Sequence, residues 1–168
     1  HLMGLKSKDL IKQKLKKLQD SGEISVNKYA IDTIVVKPNT KVHFFEGSVD
    51  APIKIVGFSD LQCGHCNKGH MAVKKLMGKY SEKIYYEYRH FPLSSSGPSE
   101  LFARGAVCSG NQGKFFEFID LSYENQSKLR SVTPQSFAQK LSLNMPLFNA
   151  CLSSALAKAI VAEDSNEG

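Results

Sequence analysis

The stretch from Ile53 to His90 constrains the fold of this chain more than any other. Ile53-Lys54-Ile55-Val56-Gly57-Phe58 is a short, largely β-branched apolar run of strand length. A polar turn, Ser59-Asp60-Leu61-Gln62, follows, and a helical pattern then continues through Tyr80. Lys83 to His90 alternates and is rich in aromatics (Ile84-Tyr85-Tyr86-Glu87-Tyr88-Arg89-His90), which predicts a second strand. Strand, helix and strand joined by a crossover of this length predict a parallel, right-handed βαβ unit. At its first strand-to-helix junction stands Cys63-Gly64-His65-Cys66.

A Cys-X-X-Cys pair at that junction is suited to thiol–disulfide exchange. The first turn of a helix presents unpaired N–H groups and partial positive charge, and both favour a thiolate over a thiol. Cys63, first in the motif, is the expected nucleophile, with its sulfur partly exposed. Cys66, one turn along and more buried, is the expected resolving cysteine. Gly64 and His65 complete the catalytic motif, His65 as a donor and, when protonated, a positive charge beside the thiolate. The competing readings are an inert disulfide and half of a zinc site. Zinc takes about four ligands at suitable spacing, and although His65 and His70 lie close by, no second Cys-X-X-Cys exists. No metal and no cofactor are therefore expected.

Outside this unit, leucines and Ile11 between lysines predict an amphipathic helix over about residues 6–20, and Ile31 to Val36 a strand. Val42 to Phe45 reads as a further short strand before a loop from Glu46 to Pro52. From Ser99 to Ala162 the pattern is helical: Glu100 to Ser109, Lys114 to Glu124, a helix entered at Pro134 and running to about Leu141, and a fourth from Pro146 to near Glu163. The formal charge of +6 is concentrated in Lys6 to Lys17, and a lysine-rich amphipathic helix reads as a solvated face; nucleic acid is not expected as a partner. Such a helix also suits an anionic membrane surface. No apolar run approaches the roughly 18 residues of a membrane helix. His1-Leu2-Met3 carries no secretory pattern, so a leader or anchor is expected to lie outside this sequence.

Four cysteines are too sparse for a disulfide-scaffold mini-protein. Cys108 and Cys151 fall in separate helices of the helical block. A second disulfide clamping that block is the expectation, and two buried thiols are the alternative; bridging needs Cα atoms within about 7 Å. His90 reads as structural rather than catalytic, and His43 and His70 have no role beyond packing or solvent. Tyr85, Tyr86 and Tyr88 alternate in facing and read as core or sheet surface. Phe115, Phe116 and Phe118 read as the core of the helical block.

Asp50-Ala51-Pro52-Ile53 through Phe58-Ser59-Asp60-Leu61-Gln62-Cys63, Tyr88-Arg89-His90-Phe91-Pro92-Leu93, Asn111-Gln112-Gly113-Lys114-Phe115-Phe116 and Phe148-Asn149-Ala150-Cys151-Leu152 together resemble the DsbA-like branch of the thioredoxin superfamily. The Gly-His pair between the cysteines is similar to that of protein disulfide isomerases. The resemblance covers about residue 46 to the end. It implies an α/β, thioredoxin-like fold with an all-helical insertion, divided as 1–45 (N-terminal helix and strand), 46–98 (first part of the thioredoxin-like domain, with the Cys-X-X-Cys) and 99–164 (helical insertion). The implied activity is forming or exchanging disulfides in cell-envelope proteins through Cys63 and Cys66. An isomerase, a reductase or a catalytically impaired binding module is the alternative. The implied partners are protein or peptide thiols and a membrane or soluble redox partner, in a periplasmic or other extracytoplasmic setting.

Two departures accompany the resemblance. Family members usually carry a buried acid six positions before the first cysteine, where this chain has Gly57. The family also continues past the insertion with a cis-proline, a β-hairpin and a final helix, whereas this sequence stops at Gly168. A sheet of two or three strands is a poor stand-alone unit, and a domain-swapped dimer is one expectation that follows.

Overall fold

The structure, a computed structural model, describes residues 44–168. The helix expected over residues 6–20, the strand expected over residues 31–36, and His43 lie outside them. Three strands form the sheet among the described residues: β1 (Phe45–Gly47), β2 (Ile53–Ser59) and β3 (Ile84–His90), in the order β1-β3-β2. β2 and β3 run parallel, in register from Ile53↔Ile84 to Ser59↔His90. Helix α1 (Gly64–Tyr80) makes the crossover between them. β1 pairs antiparallel along the other side of β3, with Glu46 opposite Tyr86.

The expected strand ending at Phe45 is shifted. Its last paired residues are Glu46 and Gly47, which the periodicity assigns to the loop. Gly47 has φ +87°, and a Cβ there would lie 2.0 Å from the Ile84 carbonyl oxygen. Only a glycine permits that approach, so backbone packing rather than side-chain pattern sets this boundary.

β3 is central, and all seven of its residues are buried. Its charged side chains are accordingly paired. Arg89 Nε donates to Glu87 Oε1 at 2.5 Å, and Tyr85 OH donates to Glu87 Oε2 at 2.9 Å. Arg89 also pairs with Glu167. A buried charge left unpaired would cost several kcal/mol, on the order of 3–5, so these partners belong together.

The helical block comprises α2 (Pro98–Gly110), α3 (Phe115–Glu124), a 3₁₀ turn (Gln126–Lys128), α4 (Pro134–Lys140), α5 (Met145–Leu152) and α6 (Ala155–Glu167). Phe102, Phe118, Phe137 and Phe148, one from each of the first four helices, are fully buried against one another. Each such side chain stabilises by about 1.5–3 kcal/mol through burial alone. Phe115, from the helix expected to form this core, instead packs toward the sheet, on Tyr88 and His90. Cys108 in α2 and Cys151 in α5 are joined by a disulfide, with Cα atoms 5.6 Å apart.

The single helix expected from Pro146 to Glu163 is two helices, α5 and α6, bent by 59°. The break falls at Ser153-Ser154, where Ser154 Oγ accepts from the Ala157 N–H at 3.2 Å and caps a new helix. A serine that satisfies a free N–H competes with helix continuation, and periodicity does not register it. The bend turns α6 over the sheet, where it runs to Glu167. There Asp164 Oδ2 accepts from the His90 backbone N–H at 2.9 Å.

Asp164 supplies a pH test. It is 4% exposed, and burial pushes its carboxyl up from 3.8 to about 6. An acid whose folded pKa exceeds its unfolded value lowers stability as pH rises between the two, and the penalty is complete above about 6. A difference of this size corresponds to at most on the order of 3 kcal/mol. Asp164→Asn keeps an acceptor for His90, so it is expected to raise the melting temperature by a few degrees at pH 7.5 and by less at pH 4.5. The difference between variant and parent removes the opposing titration of His90, which both share. An equal gain at both pH values would refute the assignment.

Candidate active site

Cys63 is the N-cap of α1, with φ −82° and ψ 117°. Its extended backbone turns the sulfur back over the first helical turn, where Sγ accepts from the Cys66 backbone N–H at 3.4 Å. Hydrogen bonding from the Cys66 side chain, then from the Cys66 and His65 backbone N–H groups, lowers the Cys63 pKa from its ordinary value. The Cys66 pKa is raised, chiefly by burial, against a hydrogen bond from the Asp60 backbone that lowers it. Both thiols are free and partly exposed. One turn of helix thus holds two thiols whose pKa values are driven apart, that of Cys63 downward and that of Cys66 upward.

Gly64 faces open space, and the His65 side chain is exposed. His65 bears on Cys63 through its main-chain N–H.

Two residues that sequence reasoning did not single out fasten the turn. Asp60, 3% exposed, accepts from the Gln62 N–H at 2.7 Å, the Leu93 N–H at 2.8 Å and Ser99 Oγ at 2.9 Å. It therefore ties the turn before Cys63 to the loop after β3 and to the start of α2. Gln126, in the 3₁₀ turn of the helical block, donates from Nε2 to the Leu61 and Cys63 carbonyls at 2.8 and 3.0 Å. Neither tie to a distant segment is visible as spacing, because the partners beyond Gln62 are 33 to 65 residues away.

Gly57 lies beneath the motif on β2. A Cβ there would meet Tyr86 Cε2 and OH, each at 3.1 Å. The Tyr86 phenol fills the space that a side chain at position 57 would enter. Burial raises the pKa values of Tyr86, Tyr88 and Tyr123, and each of the three also interacts electrostatically with Cys66. Tyr88 OH and Tyr123 OH are 3.3 Å apart. The Cys66 thiol is therefore surrounded electrostatically by phenols whose burial disfavours ionisation.

Residues 39–168 match the thioredoxin family. The chain belongs to that family.

Among solved structures, α-DsbA1 from Wolbachia pipientis aligns with a TM-score of 0.65 and 25% identity, covering 80% of this chain and 70% of that one. DsbA2 of Pseudomonas aeruginosa gives 0.64 at 20% identity, over 77% and 74%. Oxidised BdbD of Bacillus subtilis gives 0.65 at 17% identity, over 78% and 76%. The chain thus has a thioredoxin fold with a helical insertion like that of these DsbA proteins. Among curated proteins it is similar to the Na(+)/H(+) antiporter NhaA 1 of Salinispora arenicola, 30% identical over 142 residues, which are 84% of this chain and 22% of that protein. NhaA 3 of Salinispora tropica is 29% identical over 119 residues, 70% and 18% respectively. The chain spans about a fifth of the length of these curated relatives.

Within this DsbA-like frame the remaining histidines separate. His90 is fully buried, packed edge-on against Tyr88 and Phe115, and burial pushes its pKa down to about 3. It is a neutral core residue. His70, expected to have no role beyond packing or solvent, is buried on α1 and bonds Asp120 Oδ1 on α3 through Nε2 at 2.7 Å. Lys74 pairs with the other Asp120 oxygen. These side chains, with Asn67, Met71 and Tyr123, line a cavity of about 460 Å³ between the redox helix and the insertion. No group of three His, Cys, Asp or Glu side chains among the described residues could hold a metal ion.

Proposed function

We propose that the chain forms or exchanges disulfides in protein or peptide thiols, with Cys63 as nucleophile and Cys66 as resolving cysteine. The observation that carries this reading is the divergence of the two thiols, Cys63 lowered and Cys66 raised, across one helical turn. In the oxidising direction a substrate thiolate attacks Cys63 Sγ of the Cys63–Cys66 disulfide, and Cys66 leaves and takes up a proton. A second substrate thiolate attacks the substrate sulfur of the mixed disulfide and releases the Cys63 thiolate. Two electrons pass to the protein, and the substrate gains one disulfide. A stabilised Cys63 thiolate is the better leaving group, which favours oxidation of substrate over its reversal.

The domain division is part of this proposal: the Cys-X-X-Cys lies in 46–98, after an N-terminal region of 1–45 and before the helical insertion of 99–164. An extracytoplasmic setting suits disulfide formation. The antiporter relatives favour a second reading of the setting, in which this domain accompanies a membrane transporter. Recovery of the native protein in the soluble fraction alone would exclude it. Among the described residues no single helix is long and apolar enough to cross a membrane.

The mechanism is tested by trapping. With a peptide disulfide as substrate, the Cys63 thiolate of Cys66→Ala is expected to attack one sulfur, expel the other as a thiolate and accumulate a mixed disulfide, seen as a mass increase that dithiothreitol removes. A mass increase at another cysteine would overturn the assignment. Direction is read from the reduction potential of the parent: near about −120 mV indicates an oxidant, about −180 mV an isomerase and about −270 mV a reductase.

A further inference from the structure

The turn that holds Cys63 is not self-supporting. The carbonyls of Leu61 and Cys63 face the helical insertion, and one side chain answers both. Gln126 Nε2 donates to Leu61 O at 2.8 Å and to Cys63 O at 3.0 Å. Its amide has two N–H donors, and these two bonds use both. On the other side, Asn67 Nδ2 lies 3.3 Å from the Tyr123 carbonyl and 3.5 Å from Gln126 Oε1. The network fixes the orientation of the amide. Reversed, its oxygen would face two carbonyl oxygens, and its nitrogen would face the Asn67 amide donor.

Cys63 O also accepts the Asn67 backbone N–H at 3.1 Å, the first hydrogen bond of α1. Gln126 therefore grips the residue at which loop becomes helix. The direction of the His65 and Cys66 N–H groups toward Cys63 Sγ depends on how that residue is held.

We propose that Gln126 is a positioning residue for the redox turn, through which the helical insertion sets the geometry of Cys63. The inference rests on Cys63 being the nucleophile. It assigns the insertion a part in the chemistry itself, through a residue 63 positions away. Gln126 touches no sulfur and exchanges no electron; it holds the carbonyls so that the N–H groups stay aimed.

The test uses the full chain with Gln126→Glu and Gln126→Leu. The first keeps the shape but replaces both donors with carboxylate oxygens. The second keeps the bulk and removes the hydrogen bonds. The Cys63 pKa is read by thiolate absorbance, the exchange rate with a peptide dithiol, and folding by thermal melting. Both variants are expected to raise the Cys63 pKa by about half a unit or more, Gln126→Glu the further, as its charge adds repulsion. Exchange is expected to slow on the order of tenfold, short of the roughly 100-fold that a misplacement of about 1 Å can cost. Asn67→Ala frees Gln126 Oε1 and is expected to shift both readouts the same way by less. It also keeps the question answerable if the charged variant does not fold. Unchanged pKa and rate in Gln126→Leu and Asn67→Ala would overturn the proposal. Absence of Cys63-dependent exchange in the parent would instead overturn the functional reading.

Discussion

Cys63→Ala is expected to abolish thiol–disulfide exchange, with a loss on the order of 10³-fold or more, as removal of a covalent nucleophile does elsewhere. The basis is local. Cys63 Sγ takes hydrogen bonds from the side chain and N–H of Cys66 and from the N–H of His65, and no other free thiol is placed so. Cys66 cannot substitute, because burial raises its pKa and a thiol that holds its proton attacks poorly. The loss is expected without unfolding, since the sulfur is partly exposed and its removal opens no cavity. The measurement is insulin reduction or oxidation of a peptide dithiol beside a melting curve. Retained activity in a folded Cys63→Ala protein would end the proposed mechanism.

The second large effect concerns stability. Replacing both bridged cysteines, Cys108→Ala with Cys151→Ala, is expected to lower the melting temperature under oxidising conditions by about 10 °C. The bridge closes a loop with a sequence separation of 43 residues; for a loop of that length the chain-entropy treatment gives about 4 kcal/mol. Cys108 is fully buried, so truncation also leaves a small void in the core that it shares with Phe102 and Phe148. The bridge joins α2 to α5, whereas the redox turn hangs from Asp60 and Gln126. Exchange activity below the new melting point is therefore expected to survive. A change of less than about 3 °C would show that phenylalanine packing alone holds the insertion. In the unfolded parent with its active-site pair reduced, two titratable thiols are expected.

Much of the site was readable before any coordinates. Strand, turn, Cys-X-X-Cys and helix are contiguous, and the periodicity from Ile53 to His90 places them in order. Local hydrogen bonds at the start of α1 then lower the Cys63 pKa, while burial by the rest of the fold raises that of Cys66. The less accurate expectations concern long-range or backbone-level effects. The β1 boundary depends on Gly47 approaching the Ile84 carbonyl, and the break before α6 depends on one serine hydroxyl. The backbone N–H of His65, which bears on the Cys63 sulfur beside its exposed side chain, is likewise a backbone-level effect that residue type does not reveal. The contact of His70 with Asp120 was not legible because Asp120 lies 50 residues away.

By itself the sequence determined a parallel βαβ unit with a redox-type cysteine pair at its helix start, because hydrophobic period and capping act over a few residues. Only the tertiary structure decided what surrounds that pair. The phenol of Tyr86 fills the space beside Gly57, Asp60 gathers donors from three segments, and Gln126 reaches from the insertion to the carbonyl of Cys63. Such contacts depend on where distant segments meet, and packing, not local pattern, sets those meetings.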